Sequence, residues 1–273
     1  MIKTLLIILL VFNFSSIHAL EIPENPRVNY WVKEFTQNRR KFFQRSITRS
    51  GLYRETVKKV FGIEGLPEDL SWLPFIESGF NCSADSTAKA AGCWQFIPKT
   101  GEAFGLKKGT WKDQRYDFNK STKAAAKYLK KLYRRFKDWE LVLAAYNCGP
   151  TKVRKAIKKS GTNYWDMTLP KETMEYIPEF YAVLKITRNL KKYGFNESSD
   201  SLKSVQLKEG VHSLRYIAKN ILKVDYKEFA RINPGYIIGY TPPGESTRIY
   251  LKEEWDVSLL KWFGLLAKKD SLN

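Results

Sequence analysis

One carboxylic acid stands out for the company it keeps. In Leu66-Pro-Glu-Asp-Leu-Ser-Trp-Leu-Pro-Phe-Ile-Glu-Ser-Gly-Phe80, Glu77 closes an otherwise apolar turn. Leu70, Leu73 and Ile76 recur at helical spacing, and Glu77 lies four residues past Leu73, so its carboxyl projects from the same inward stripe. Pro67 suits a first helical position, Glu68 and Asp69 suit the positive end of the helix dipole, and Gly79 suits a left-handed end. Apolar neighbours disfavour the charged form of a carboxyl and raise its pKa, which is what a general acid needs near neutral pH. A glutamate at a helix end can equally reach water or cap a backbone group.

The elements that must position this acid read as mainly helical. Residues 23–62 give two basic helices carrying Trp31, Phe35, Phe42 and Phe43, then Leu52, Val57, Val60 and Phe61, and form an N-terminal brace. The segment 99–117 reads as irregular. Ser121 reads as the cap of a strong helix with Ala125, Leu129, Leu132 and Phe136 on one face. Helices over 140–147 and 153–159 follow, separated by Gly149-Pro150, and a longer helical pattern over 172–190 is interrupted at Pro178. Residues 194–204 read as a linker. Beyond it a strand near 204–207, helices near 213–222 and 226–232, the turn Asn233-Pro-Gly235 and a strand near 248–251 make a small α+β module over 205–254. The tail 255–273 is aromatic and amphipathic, and packing against the body is expected over contact with a membrane interface.

Composition sets the class. A chain of 273 residues with 43% apolar and 14% aromatic residues can bury a substantial core. Lys3, the apolar run Leu5–Phe12 and the small residues up to Ala19 read as an export signal over 1–19, too short to span a bilayer and without a cysteine at the cleavage point. Loss of that segment lowers the formal charge of +19 by one. A strongly basic exported chain favours an anionic polymer such as a cell wall, and export argues against nucleic acid. The charges are dispersed, as on a solvated surface. Three cysteines, Cys82, Cys93 and Cys148, make an odd count for an oxidising compartment, so one pair and one leftover thiol is the simplest outcome. Two histidines and no CxxC leave zinc or Cys/His catalysis little to build on.

Three further segments accompany the acid: Gly92-Cys-Trp-Gln-Phe96, Ala144-Ala-Tyr-Asn-Cys-Gly-Pro150 and Glu172-Thr-Met-Glu-Tyr-Ile-Pro178. In this order and spacing, over roughly residues 25–190, the chain resembles the lytic transglycosylases of the goose-lysozyme-like SLT family, and within it the membrane-bound murein transglycosylase D type. The resemblance implies a lysozyme-like helical catalytic domain over 63–193 that acts on peptidoglycan with no metal or organic cofactor. Glu77 matches the family's catalytic acid and Tyr176 the tyrosine that hydrogen-bonds near it. Ser78, Trp94, Gln95, Tyr146 and Asn147 match the groove and its substrate-binding residues. Each has a bland reading. Gln95 can satisfy loop carbonyls, Asn147 can cap a helix, the tyrosines can be core aromatics, and Trp94 is a packing wall as readily as a sugar platform.

The resemblance further implies cleavage of the MurNAc-GlcNAc β-1,4 bond with a 1,6-anhydro product. A glycosidase ordinarily needs two carboxyls. One suffices if the sugar's own 6-hydroxyl attacks. A hydrolytic muramidase and an inactive wall-binding protein are the alternatives. The cysteines depart from the family pattern, and a disulfide between Cys93 and Cys148 is expected where the second and third motifs meet, with Cys82 a rival partner for either. The C-terminal module resembles a degenerate LysM-like repeat, which implies glycan binding or a structural cap. A periplasmic or secreted location follows from the signal segment.

Overall fold

The computed structural model describes residues 19–267. The expected export segment therefore lies outside the described residues, apart from Ala19. The chain is mainly helical. Helix α1 (Pro26–Thr36) starts where the Asn25 side chain accepts the Arg27 N–H at 2.9 Å, with Pro26 at the first position. It is followed by α2 (Arg40–Gly51) and α3 (Arg54–Glu64), so the N-terminal region has three helices where the apolar spacing predicts two. The pattern runs through the breaks at Gln37–Arg39 and Leu52–Tyr53 because both sides of each break face the same core.

A 3-10 turn (Glu68–Trp72) leads into α4 (Leu73–Ser78), the short helix that carries Glu77. The segment expected to be irregular contains one short helix, α5 (Pro98–Ala103), and otherwise isolated bridges. Helix α6 (Phe118–Phe136) begins before Ser121, because Asp117 is the cap and accepts the Lys120 N–H at 3.1 Å. Ser121 is buried and bonds back to the Asp117 carbonyl at 2.8 Å. Helices α7 (Trp139–Cys148), capped by Asp138, and α8 (Pro150–Ser160) meet at Gly149-Pro150 as expected.

Helix α9 (Lys171–Thr187) runs unbroken through Pro178. Proline removes the N–H that would bond the carbonyl of Met174. That carbonyl is taken instead by the Tyr164 hydroxyl at 3.0 Å and by the Arg27 guanidinium. Tyr164 also donates to the Thr173 carbonyl at 3.0 Å. Arg27 and Trp31 of α1 both bond the Glu175 carboxylate, at 3.1 and 2.8 Å, so the N-terminal brace lies along α9 and repairs its proline defect.

The remaining elements gather a second apolar core. Strands β1 (Leu202–Leu207) and β2 (Thr247–Lys252) pair antiparallel, with Leu202 opposite Lys252 and Leu207 opposite Thr247. Between them lie α10 (Leu214–Tyr216), continued by a π-helical turn over Ile217–Ile221, and α11 (Tyr226–Ile232). Leu207, Leu214, Ala218, Phe229, Ile249 and Leu251 are buried together. The Asn233 side chain clamps the turn, donating to the Phe229 and Tyr250 carbonyls at 3.0 and 2.8 Å and accepting the Tyr250 N–H at 2.8 Å. The tail divides: Leu260 of α12 (Ser258–Trp262) is buried and the Ala267 N–H donates to Gln206 at 2.8 Å, whereas Trp262 is 76% exposed. Among the described residues no helix is long and apolar enough to cross a membrane.

The main core is aromatic where the brace meets the acid-bearing helix. Phe43 lies 4.8 Å from Phe75 and 4.6 Å from Phe195, ring centre to ring centre, and is fully buried. Phe43→Ala is expected to lower stability by about 3–5 kcal/mol, read as a shift of the urea unfolding midpoint.

Candidate functional site

The site is built around the end of α4. Leu70, Leu73 and Phe75 are buried beneath it, and Ile76 and Glu77 turn into an open groove. The helix stops at Gly79, whose φ of 58° is left-handed and whose N–H bonds the Phe75 carbonyl at 2.9 Å. A Cβ at Gly79 would stand 2.7 Å from Ser46 Oγ, so a side chain there would push the acid helix off α2. Glu77 thus sits at the carbonyl end of a rigidly stopped helix, where a negative charge gains nothing from the dipole.

The groove has a volume of about 600 Å³. It is lined by Ser86, Thr87, Ala88, Ala90 and Gln95–Ile97, by Asn147–Gly149 and the α9 face bearing Glu172, Tyr176 and Glu179, and by Tyr128 and Tyr146. Tyr176 donates its hydroxyl to Glu77 Oε1, joining α9 to α4 across 99 positions of sequence. Burial pushes the Glu77 pKa up to about 8; the Tyr176 hydrogen bond opposes that rise and the charge of Glu172 adds to it. The acid is therefore protonated at neutral pH and held in one orientation.

The other expected residues fall into two sets. Gln95, Tyr146, Asn147 and Tyr176 all line the groove with Glu77. Tyr146 donates to the Trp94 carbonyl at 2.9 Å, and burial holds its phenol well above the usual value. Asn147 does not cap its helix. It donates to Glu172 at 3.0 Å and accepts the Thr173 hydroxyl at 2.6 Å, which pins α7 to α9. Gln95 adopts a left-handed φ of 47°, and its amide nitrogen donates to the Gly92 and Ala84 carbonyls at 2.8 and 3.2 Å.

Trp94 and Ser78 are different. Trp94 is 0% exposed, tilted against Phe61 with its indole N–H on Thr122 at 2.9 Å, so its side chain is a packing wall and the expected sugar contact is corrected. An indole with a buried hydrogen-bond partner has no reason to face the groove. Ser78 lies behind the groove wall, where its hydroxyl donates to the Cys93 carbonyl at 3.0 Å and ties the acid helix to the second motif.

The expected Cys93–Cys148 bridge is also corrected: Cys82 is bonded to Cys93, and Cys148 is free. The loop after α4 folds back through the bridges Asp85↔Ala91 and Ala91↔Phe96, with the Gly92 N–H on the Ala84 carbonyl at 2.9 Å, and so returns Cys93 to Cys82. Closing this short local loop costs less chain entropy than joining segments more than fifty residues apart. Cys148 lines the groove half-buried, and burial pushes its thiol pKa up.

Two acids escape the motif reading. Glu172 and Glu179 share the face of Tyr176 at positions four before and three after it, a helical spacing that would have found them. Burial pushes Glu179 up to about 7, with Arg39 opposing and Glu175 and Glu172 adding. No Lys or Arg lines this groove among the described residues, although the chain carries 47 of them. The basic surface and the acidic groove are separate features. Among the described residues no cluster of three metal-ligating side chains occurs.

Residues 64–166 match the family model described as Transglycosylase SLT domain, and the described residues are mainly helical, as expected. The chain is 38% identical over 180 residues to the membrane-bound lytic murein transglycosylase D of Escherichia coli K12, an alignment that covers 63% of this chain and 39% of that relative. The chain thus matches well under half the length of that curated protein. Among solved structures, the lytic transglycosylase Slt of Pseudomonas aeruginosa, an inactive mutant, is 25% identical with a TM-score of 0.43, covering 50% of this chain and 24% of the other. The 70 kDa soluble lytic transglycosylase of Escherichia coli is 21% identical with a TM-score of 0.42, covering 52% and 25%.

The raised acid has a thermodynamic consequence. Between its ordinary value of 4.5 and about 8, the folded protein keeps a proton on Glu77 that the unfolded chain has released, so this residue lowers stability progressively as pH rises across that window. Glu77→Gln is expected to be more stable than the native chain, with a gain that grows from about pH 5 to 8 and reaches on the order of a few kcal/mol, measured by urea unfolding at a series of pH values.

Proposed function

We propose that this chain is an exported peptidoglycan lytic transglycosylase that cleaves the MurNAc-GlcNAc β-1,4 bond. The observation that carries the reading is the protonated, desolvated Glu77 carboxyl held by Tyr176 in a groove that also contains Gln95, Tyr146 and Asn147. The match of residues 64–166 to the SLT domain supports it, as does the printed activity of the E. coli relative.

In this reading Glu77 donates its proton to the departing glycosidic oxygen as the bond to the anomeric carbon breaks. Its carboxylate, steadied by the Tyr176 hydroxyl, then takes the proton of the muramyl 6-hydroxyl as that oxygen bonds to the anomeric carbon. A 1,6-anhydro end and a free sugar hydroxyl result, Glu77 is again protonated, and no water is consumed. The reaction uses no cofactor. Asn147 and Gln95 orient the glycan, and action in the periplasm or outside the cell follows from the export segment.

A hydrolytic muramidase is the second reading, favoured by Glu172 and Glu179 in the same groove, because a second carboxyl can activate water. The C-terminal module, proposed as LysM-like, has a cavity of about 440 Å³ lined by Tyr226, Tyr236 and Tyr240 that suits the flat face of an N-acetylglucosamine unit.

Digestion of purified sacculi followed by mass spectrometry is expected to give anhydro ends; reducing ends would support hydrolysis. Glu77→Gln is expected to lower the rate by at least about 10²–10⁴-fold, and native activity to fall as pH rises through about 8, where the acid loses its proton. Binding of sacculi without any cleavage by the native chain would support the inactive wall-binding alternative.

A further inference from the structure

The stretch between α5 and α6 contacts both the turn that lines the groove and the C-terminal module, and Arg115 is buried near its end. Its Nη1 donates to the carbonyls of Lys89 and Phe96, at 2.7 and 3.0 Å. Those two carbonyls bracket the turn that presents Ala90, Gln95 and Phe96 to the groove. The backbone is equally close: a Cβ on Gly92, which has a φ of 79°, would lie 2.2 Å from the Arg115 carbonyl oxygen. The groove wall therefore rests directly on this residue.

On its other side Arg115 grips Asp113, with Nε at 3.1 Å and Nη2 at 2.7 Å from the carboxylate oxygens. The backbone N–H of Asp113 then donates to the Gly235 carbonyl at 3.0 Å, and the Ile237 N–H donates to Trp111 at 3.0 Å, so the module's turn pairs like a strand edge with this segment. The Lys112 ammonium lies over the Tyr236 ring at 4.8 Å and pairs with Asp117 at 3.4 Å, and Asp117 also accepts the Tyr250 hydroxyl at 3.2 Å. A planar guanidinium fixes both partners in one geometry, which a flexible ammonium cannot do. Buried networks of this kind lose several bonds together when one member moves.

We propose that Arg115 is a positioning residue through which docking of the C-terminal module holds the Lys89–Phe96 wall of the groove, so that glycan affinity depends on the module even where the module touches no glycan. The consequence for catalysis rests on the transglycosylase reading; the mechanical coupling does not. Glu77 and Tyr176 make no bond to Arg115, and α4 keeps its own ties to the wall through the Ser78 hydroxyl and the Cys82–Cys93 bridge, so loss of the network alters binding more than chemistry.

The test uses the full chain with Arg115→Lys and, from the module side, the double variant Lys112→Ala/Tyr236→Ala, which leaves the Arg115–Asp113 pair in place. Hydrogen exchange of peptides covering 84–96, with α7 and α9 as internal references, is expected to quicken at least tenfold in both variants while the references keep their protection. With soluble glycan strands as substrate, KM is expected to rise several-fold with kcat within about twofold. Unchanged exchange over 84–96 in the module-side variant overturns the proposal, and so does uniform loosening of all segments, which would mark a merely structural role. If Arg115→Lys fails to fold, the module-side variant decides alone. If the native chain cleaves no glycan, the activity reading falls while the exchange data still decide the coupling.

Discussion

The contact between the Tyr176 hydroxyl and the Glu77 carboxyl is the constraint on which the site depends, because it joins two groove-lining elements far apart in sequence. A carboxyl removed from water is unstable as an anion. Among the described residues the fold gives it a single hydrogen-bond donor, enough to orient it and too little to return its pKa to the ordinary range. Everything that fixes α4 relative to α9 therefore acts on this contact. Gly79 stops one helix against α2, and Asn147 with Thr173 anchors the start of the other.

Pro178 shows how far this demand reaches. It lies two residues beyond Tyr176 and deprives α9 of a backbone bond, and a helix with an orphaned buried carbonyl would bend at the point where it must be straight. Tyr164 and Arg27 supply the missing donors from outside the helix. The N-terminal brace is thus more than a cover over apolar surface. Its Arg27 and Trp31 complete the helix that carries the tyrosine, and its phenylalanines pack beneath the helix that carries the acid.

Charge is distributed with the same economy of place. A surface rich in lysine and arginine surrounds a groove that contains carboxyls and no cation among the described residues. Long-range attraction to the proposed anionic wall and recognition inside the groove can then be tuned separately, since surface charges are screened over about 10 Å while groups inside the groove are screened much less. The charge of Glu172 also adds to the raised pKa of Glu77 and of Glu179, so the acidic lining helps keep protons where proton transfer is proposed.

The acid itself was legible in local spacing, whereas Gln95, Tyr146, Asn147 and Tyr176 were legible only through the family resemblance. Glu77 at the end of an apolar turn, the helices of the third and fourth motifs, the module's strands and the turn at Asn233 all follow from periodicity and capping, which depend on neighbours a few residues away. The face shared by Glu172, Tyr176 and Glu179 was written in the same spacing. The sequence left open, and only the tertiary structure decided, that Trp94 turns inward to Thr122, that Cys82 takes Cys93 and leaves Cys148 in the groove, that α9 survives its proline, and that Arg115 ties the module to the groove wall. Each of these choices is a competition between partners brought together by chain closure, and local propensity carries no information about which distant donor, thiol or carbonyl arrives first within bonding distance.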